Sequence, residues 1–156
     1  MIKFFILANI QGKTRLSQYY EHIPFQDRPT MESDIIRKCL SRTSLQCSFL
    51  EYKEDMKFVY RRYASLFFIV GVDSTENELA IYELINNYVE ILDATFEDVC
   101  ELDIMFNIDK AHFILDEMIS NGNIVEISKQ QILEVINSIC KSADGTTASN
   151  QPIKLR

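Results

Sequence analysis

Apolar positions along the chain repeat with two periods, and the change from one to the other marks out its elements. The longest strand-like run, Phe58 to Val72, is made of aromatic and β-branched residues that suit a pleated, largely buried surface. Arg61 and Arg62 interrupt it, which predicts two strands rather than one. Gly71 and the pair Asp73-Ser74 end the second strand. Thr75-Glu76-Asn77-Glu78 then has the Thr-x-x-Glu spacing whose side chains satisfy the free N–H groups of a helix start. Leu79, Tyr82, Leu84, Ile85, Tyr88, Val89, Leu92 and Phe96 follow at spacings of three and four, a stripe wide enough to cover one face of a sheet.

Before this stretch, residues 2 to 9 read as a nearly continuous apolar strand, and burial on both faces places such a strand inside a sheet. Gly12 sits in the turn Ile10-Gln11-Gly12-Lys13, and Arg15 to Tyr20 pairs back as a hairpin. After a loop from Glu21 to Pro29, residues Ile35, Ile36, Cys39 and Leu40 mark one face of a helix over about Thr30 to Thr43. Cys47 to Tyr52 alternates as a short fifth strand, and Lys53-Glu54-Asp55 turns into the long run. Downstream, Ala111, Ile114, Leu115 and Met118 predict another helix, with Asn121-Gly122 as its stop. Ser128-Lys129-Gln130-Gln131 repeats the capping pattern ahead of Ile132, Leu133, Ile136 and Ile139, so a last helix runs to about Cys140. The expected organisation is one domain over residues 1–141 and a mobile, low-hydrophobicity tail over 142–156.

Composition narrows the chemistry. The 47% hydrophobic content supports a core, and 16 Lys and Arg against 23 Asp and Glu leave a formal charge of -7, which disfavours nucleic acid as a partner. No apolar run reaches the roughly 18 residues needed to span a bilayer, and the first apolar run lacks a cleavage pattern, so a cytoplasmic location is expected. Cys39, Cys47, Cys100 and Cys140 have no Cys-x-x-Cys spacing and are expected as reduced, buried thiols. With His22 and His112 far apart, no metal site or other cofactor is expected. The nucleophile elbow, phosphate loop and His-Glu-x-x-His helix are all missing. Glu101 with Asp103, or Asp116 with Glu117, read as solvated or capping carboxylates before they read as acid and base, so the expectation is a non-enzyme. Arg15 alone reads as a solvated edge residue or an ion-pair partner. Two arginines, Arg61 and Arg62, are too few for a membrane patch and are expected to pair acidic groups at the sheet surface or on a larger partner that wraps this chain.

Tyr60-Arg61-Arg62-Tyr63-Ala64 with Leu66-Phe67, then Tyr88-Val89-Glu90 with Leu92-Asp93, and Val99-Cys100-Glu101-Leu102-Asp103 with Phe106-Asn107, resemble in order and spacing the small (sigma) subunits of the adaptor protein complexes of vesicle coats. Thr75 to Glu78, Leu102 to Asn107, Asp109-Lys110 and Ile114 to Met118 are most similar to the sigma subunit of the fourth of these complexes. The resemblance implies an α/β longin-like domain: a five-stranded antiparallel sheet flanked by helices, one on one face and the long helix on the other, with additional C-terminal helices. It implies a small subunit that stabilises a heterotetramer of two large adaptins and one medium (mu) subunit in vesicle-mediated protein transport. The location implied is peripheral, on trans-Golgi network or coated-vesicle membranes, with an Arf-family GTPase bound by the large subunits. The alternatives are the sigma subunit of the first or second, clathrin-associated complex, acting at endosomes or the plasma membrane, and a free-standing longin-domain trafficking protein.

The resemblance also implies a site for acidic dileucine signals in cargo tails. Asn9-x-x-Gly12-Lys13-Thr14-Arg15-Leu16 matches the motif whose arginine, here Arg15, holds the acidic side of the peptide. A guanidinium forks onto a carboxylate more specifically than an ammonium does. The pockets for the two leucines carry over onto Ala64, Leu66, Phe68, Val89, Val99 and Ile104, all of which pattern alone would assign to the core. Asp98 stands where relatives that bind the signal tend to carry asparagine, and a carboxylate there would repel an acidic peptide.

Overall fold

The computed structural model describes residues 1–147, with side chains described through Ala143. Five antiparallel strands form the sheet: β1 (Ile2–Asn9), β2 (Thr14–Tyr19), β3 (Phe49–Lys53), β4 (Met56–Tyr63) and β5 (Leu66–Asp73), in the order β2-β1-β5-β4-β3. β1 lies inside the sheet between β2 and β5, and every residue from Phe4 to Asn9 is buried, as its continuous apolar run predicts. Alternation along the strands then divides the core in two. Phe4, Ile6, Ala8, Phe58, Tyr60, Phe67 and Ile69 face α1 (Arg28–Leu40), which brings Met31, Ile35, Ile36 and Cys39. Phe5, Leu7, Val59, Leu66, Phe68, Val70 and Val72 face α2 (Glu78–Phe96). That second face is deeper, because α4 (Ile108–Met118) and α5 (Lys129–Thr147) pack onto α2. A short α3 (Glu101–Phe106) precedes α4 and contributes Ile104.

Several local expectations are corrected. The break between β4 and β5 falls at Ala64-Ser65 rather than at Arg61-Arg62, which stay in register inside β4 opposite Phe68 and Phe67. Arginine is tolerated there because β4 alternates: Arg61 stacks on Tyr63 and Tyr82 and donates to Asn86 on the α2 face, while Arg62 lies over Phe67 on the other. Neither meets a carboxylate within ion-pair distance among the described residues. Asn77, not Thr75, caps α2, since Asp73 engages Thr75 through its N–H and hydroxyl and leaves the Asn77 side chain to accept from Leu79 N and Ala80 N. Leu79, counted in the apolar stripe, is 69% exposed, and Ile81 and Ile91 are buried in the stripe instead.

Asn121-Gly122 turns a hairpin rather than capping α4. It joins β6 (Ile119–Ser120) to β7 (Asn123–Ile124) with φ of 50 and 79, the left-handed pair that such two-residue turns require. Gly122 O accepts from Ile2 N at 2.8 Å, and a Cβ at Gly122 would lie 2.4 Å from Ile2 O, so only glycine permits this approach to β1. Of the cysteines, Cys39 is buried, Cys140 half-buried, and Cys47 and Cys100 exposed. The exposed pair sit in the loop before β3 and just ahead of α3, where no helix stripe draws them inward. The last helix, expected to end near Cys140, continues to Thr147, because Lys141, Ser142 and Ala143 are compatible with a helix and Ser142 Oγ donates back to Ser138 O. Of the expected mobile tail, residues 148–156 lie outside the described residues.

Candidate functional site

One end of the sheet brings together Asn9, Arg15, the Ala64-Ser65 turn and Glu101. There β1 ends at Asn9, β2 begins at Thr14, and Ile10 N donates to Ser65 O in the β4–β5 turn. The register between β1 and β2 slips at this end: Leu7 pairs with Leu16 and Ala8 with Thr14, so Arg15 is an extra residue with no partner across. A bulge of this kind re-aims a side chain. Thr14 turns to the α1 face, where its hydroxyl donates to Glu32, and Arg15 reaches the other face to meet Glu101 at the start of α3.

Arg15 Nε donates to Glu101 Oε1 at 2.6 Å, and Asn9 Nδ2 donates to the same oxygen at 3.0 Å. Asn9 is a buried polar residue, 3% exposed. Its Oδ1 accepts from Gln11 N and Lys13 N, so one side chain both closes the β1–β2 turn and orients the carboxylate. The Arg15 guanidinium, and then the Asn9 amide, hold the Glu101 carboxyl below the usual carboxylate range. Asp103 acts elsewhere, since its Oδ2 accepts from Cys100 N at 2.9 Å and closes the start of α3. The two carboxylates weighed as an acid–base pair thus hold separate structural posts. Arg15 itself is an ion-pair partner with 17% of its side chain exposed.

The expected pocket residues divide into three kinds. Leu66, Phe68 and Ile104 are sealed in the core, at 4%, 1% and 0% exposure. Val89 sits at the margin of the same cluster and Val99 is half-buried against it. Ala64 and Asp98 are exposed, and both have positive φ, 52 and 67, as does Glu97 at the end of α2. Val99 N donates to Asp93 Oδ1, which ties the turn after α2 to the helix. Asparagine adopts this left-handed region more readily than most residues, so a relative with asparagine at position 98 satisfies the turn as well as removing a charge. Sequence reasoning missed two roles, Asn9 as organiser of the end and Glu101 as the partner of Arg15. Both residues stand in the motifs quoted for the resemblance, but nothing local pairs positions 86 apart. Among the described residues no group of three His, Cys, Asp or Glu side chains is placed to hold a metal ion, and no helix is long and apolar enough to cross a membrane.

Set beside known proteins, residues 1–143 match the clathrin adaptor complex small chain family, and the chain belongs to that family. It is 73% identical over 140 residues to the AP-4 complex subunit sigma of Dictyostelium discoideum, covering 90% of this chain and 97% of that one. To the AP-4 complex subunit sigma-1 of Homo sapiens it is 59% identical over 133 residues, covering 85% of this chain and 92% of the relative. A chain in a homology model of the full-length AP-3 complex in a stretched open conformation superposes with a TM-score of 0.73 at 28% identity, covering 95% of this chain and 98% of that chain. The α/β fold is therefore longin-like, with the five-stranded antiparallel sheet between helices.

Proposed function

We propose that this chain is the sigma subunit of an AP-4-type adaptor complex and that it works in vesicle-mediated protein transport. In that role it stabilises a core made with two large subunits and one medium subunit. The observation that carries the reading is identity of 73% and 59%, over nearly the whole chain, to two AP-4 sigma subunits. The complex acts from the cytoplasm at the trans-Golgi network, recruited through an Arf-family GTPase on its large subunits. Affinity purification of the tagged chain from its own cells tests this: AP-4-type large and medium subunits are expected, and recovery of AP-1 or AP-2 large subunits instead would overturn it.

The end of the sheet around Arg15 is proposed to receive an acidic dileucine signal, with Arg15 facing the acidic residue and Val89 and Val99 at the mouth of the apolar site. Support comes from the bulge that brings Arg15 to that side of the sheet and from a carboxylate, Glu101, already seated on the guanidinium. An acidic peptide therefore has to take the place of Glu101. The leucines also have to part Val89 and Val99 from the sealed core beneath them. Burial of two leucines supplies roughly 3 to 6 kcal/mol before the peptide's ordering cost, so the apolar part dominates. Titration of the assembled complex with a fluorescent dileucine peptide is expected to show no binding for Val89→Asp and several-fold weaker binding for Arg15→Ser. Asp98→Asn is expected to bind more tightly. A wild-type complex that does not prefer the peptide over its dialanine control would remove the signal-reading role and leave the scaffold.

A further inference from the structure

The α1 face of the same sheet end carries a second feature. A cavity of about 360 Å³ opens between the loop after α1 and the β4–β5 end. Its floor includes the rings of Tyr60 and Phe67, 7% and 6% exposed, and its apolar rim is Ile10 and Leu40. Arg42 and Arg62 both line it, and no Asp or Glu does. Thr43, Ser44 and Ser48 add hydroxyl groups.

Arg42 is held in place from behind. Its Nε donates to Tyr60 Oη at 3.1 Å and its Nη2 to Cys47 O at 2.6 Å, which engages two of the five N–H groups of a guanidinium. Arg62 donates one, from Nε to Ala64 O at 3.1 Å, and lies over the Phe67 ring. Among the described residues neither has a carboxylate within ion-pair distance, although the chain carries a net charge of -7. Two arginines lining an acid-free concavity, with hydroxyls and aromatic rings in the same lining, have the chemistry of an anion site with an apolar wall.

We propose that this cavity binds a phosphate monoester carried on an aromatic body, as a phosphotyrosine side chain of a partner peptide presents it. The phosphate sits between Arg42 and Arg62, and the ring enters between Ile10, Leu40 and Phe67. A membrane headgroup fits less well, since anchoring to anionic lipid takes a cluster of about 4 to 8 basic residues and only two line this cavity. The site is independent of the Arg15 end, which lies on the opposite face.

Phosphorus NMR or calorimetric titration of the full chain with phenyl phosphate, O-phosphoserine and inorganic phosphate tests it. Phenyl phosphate is expected to bind several-fold more tightly than the other two and to weaken as salt rises. Arg62→Gln is expected to weaken it about tenfold. Arg61→Gln, one residue away on the other face, is expected to leave it unchanged. Arg42→Gln gives the same loss as Arg62→Gln if it folds, and the exposed Arg62 carries the test if it does not. Equal losses for Arg61→Gln and Arg62→Gln would overturn the proposal, as would equal binding of all three probes or no binding. Vesicles of phosphatidylserine that capture the chain through Arg62 while phenyl phosphate does not bind would replace it with a lipid contact.

Discussion

The two faces of the sheet end differ in how they treat arginine. On the α2 face, a bulge brings Arg15 around to α3, where Glu101 and Asn9 meet it in a small hydrogen-bonded group. On the α1 face, Arg42 and Arg62 receive only neutral partners, a phenol and two carbonyls. The contrast follows from what covers each face. The α2 side is roofed by three further helices, one of which begins with an acidic residue at the sheet end. The α1 side has one helix and the loop Ser41 to Ser48, which contains no Asp or Glu. Arg15 is thus matched by a carboxylate that the fold delivers from α3, whereas half-buried Arg42 and exposed Arg62 are not, and Arg61 on the α2 face is met by Asn86 and two rings instead of a charge.

The largest effect should come from breaking the deeper face. Ile85, on the sheet-facing side of α2, is fully buried in the apolar cluster, and Ile85→Asp places a carboxylate among those side chains, so a loss above about 4 kcal/mol and an unfolded chain are expected by circular dichroism. A wild-type melting temperature would mean that α2 does not cover the sheet. The thinner face has its own test at Gly71, where a Cβ would lie 2.1 Å from the Phe4 ring. Phe4 is fully buried and has nowhere to move, so Gly71→Ala should cost about 1 to 3 kcal/mol. Phe4→Leu in the same chain should recover part of that loss in a double-mutant cycle, and strict additivity would refute the clash.

The smallest effect concerns the ion pair. Glu101 has a lowered pKa in the folded chain, so its pairing contributes above its ordinary value near 4.3 and is lost as pH falls through the lower folded value. The stability gap between wild type and Glu101→Gln should therefore be widest near neutral pH and should close as the solution is taken below about pH 4. A gap that stayed constant with pH would show that Glu101 acts through shape rather than charge.

Much of the architecture was legible because period is a local property. The unbroken run in β1, the alternating and aromatic runs of β4 and β5, and the three-and-four stripe of α2 each name their element without reference to the rest of the chain. Resemblance carried the family and placed Arg15 at the sheet end. Capping and turn signals were less decisive, since Thr75 and Asn77 both suit the start of α2 and Asn-Gly suits a helix stop as well as a hairpin.

What the sequence determined by itself was therefore the five strands of the main sheet and the four longer helices, though not α3 or the β6–β7 hairpin, together with the strand that must be inside and the residues able to carry charge at one end. The tertiary structure alone decided where those charges point. Arg15 is turned by a one-residue slip against β1, and its partner arrives from a helix 86 positions later. Arg61 and Arg62 are neighbours in the chain but look to opposite faces, because alternation on a strand separates them and the helices on each side then differ. Leu66, Phe68 and Ile104 are core residues, as pattern alone assigns them, but only the fold brings Ile104 of α3 into the same cluster as the two β5 side chains. Strand and helix periods are set by the backbone within a few residues, whereas register, facing and partner depend on packing between segments far apart in sequence.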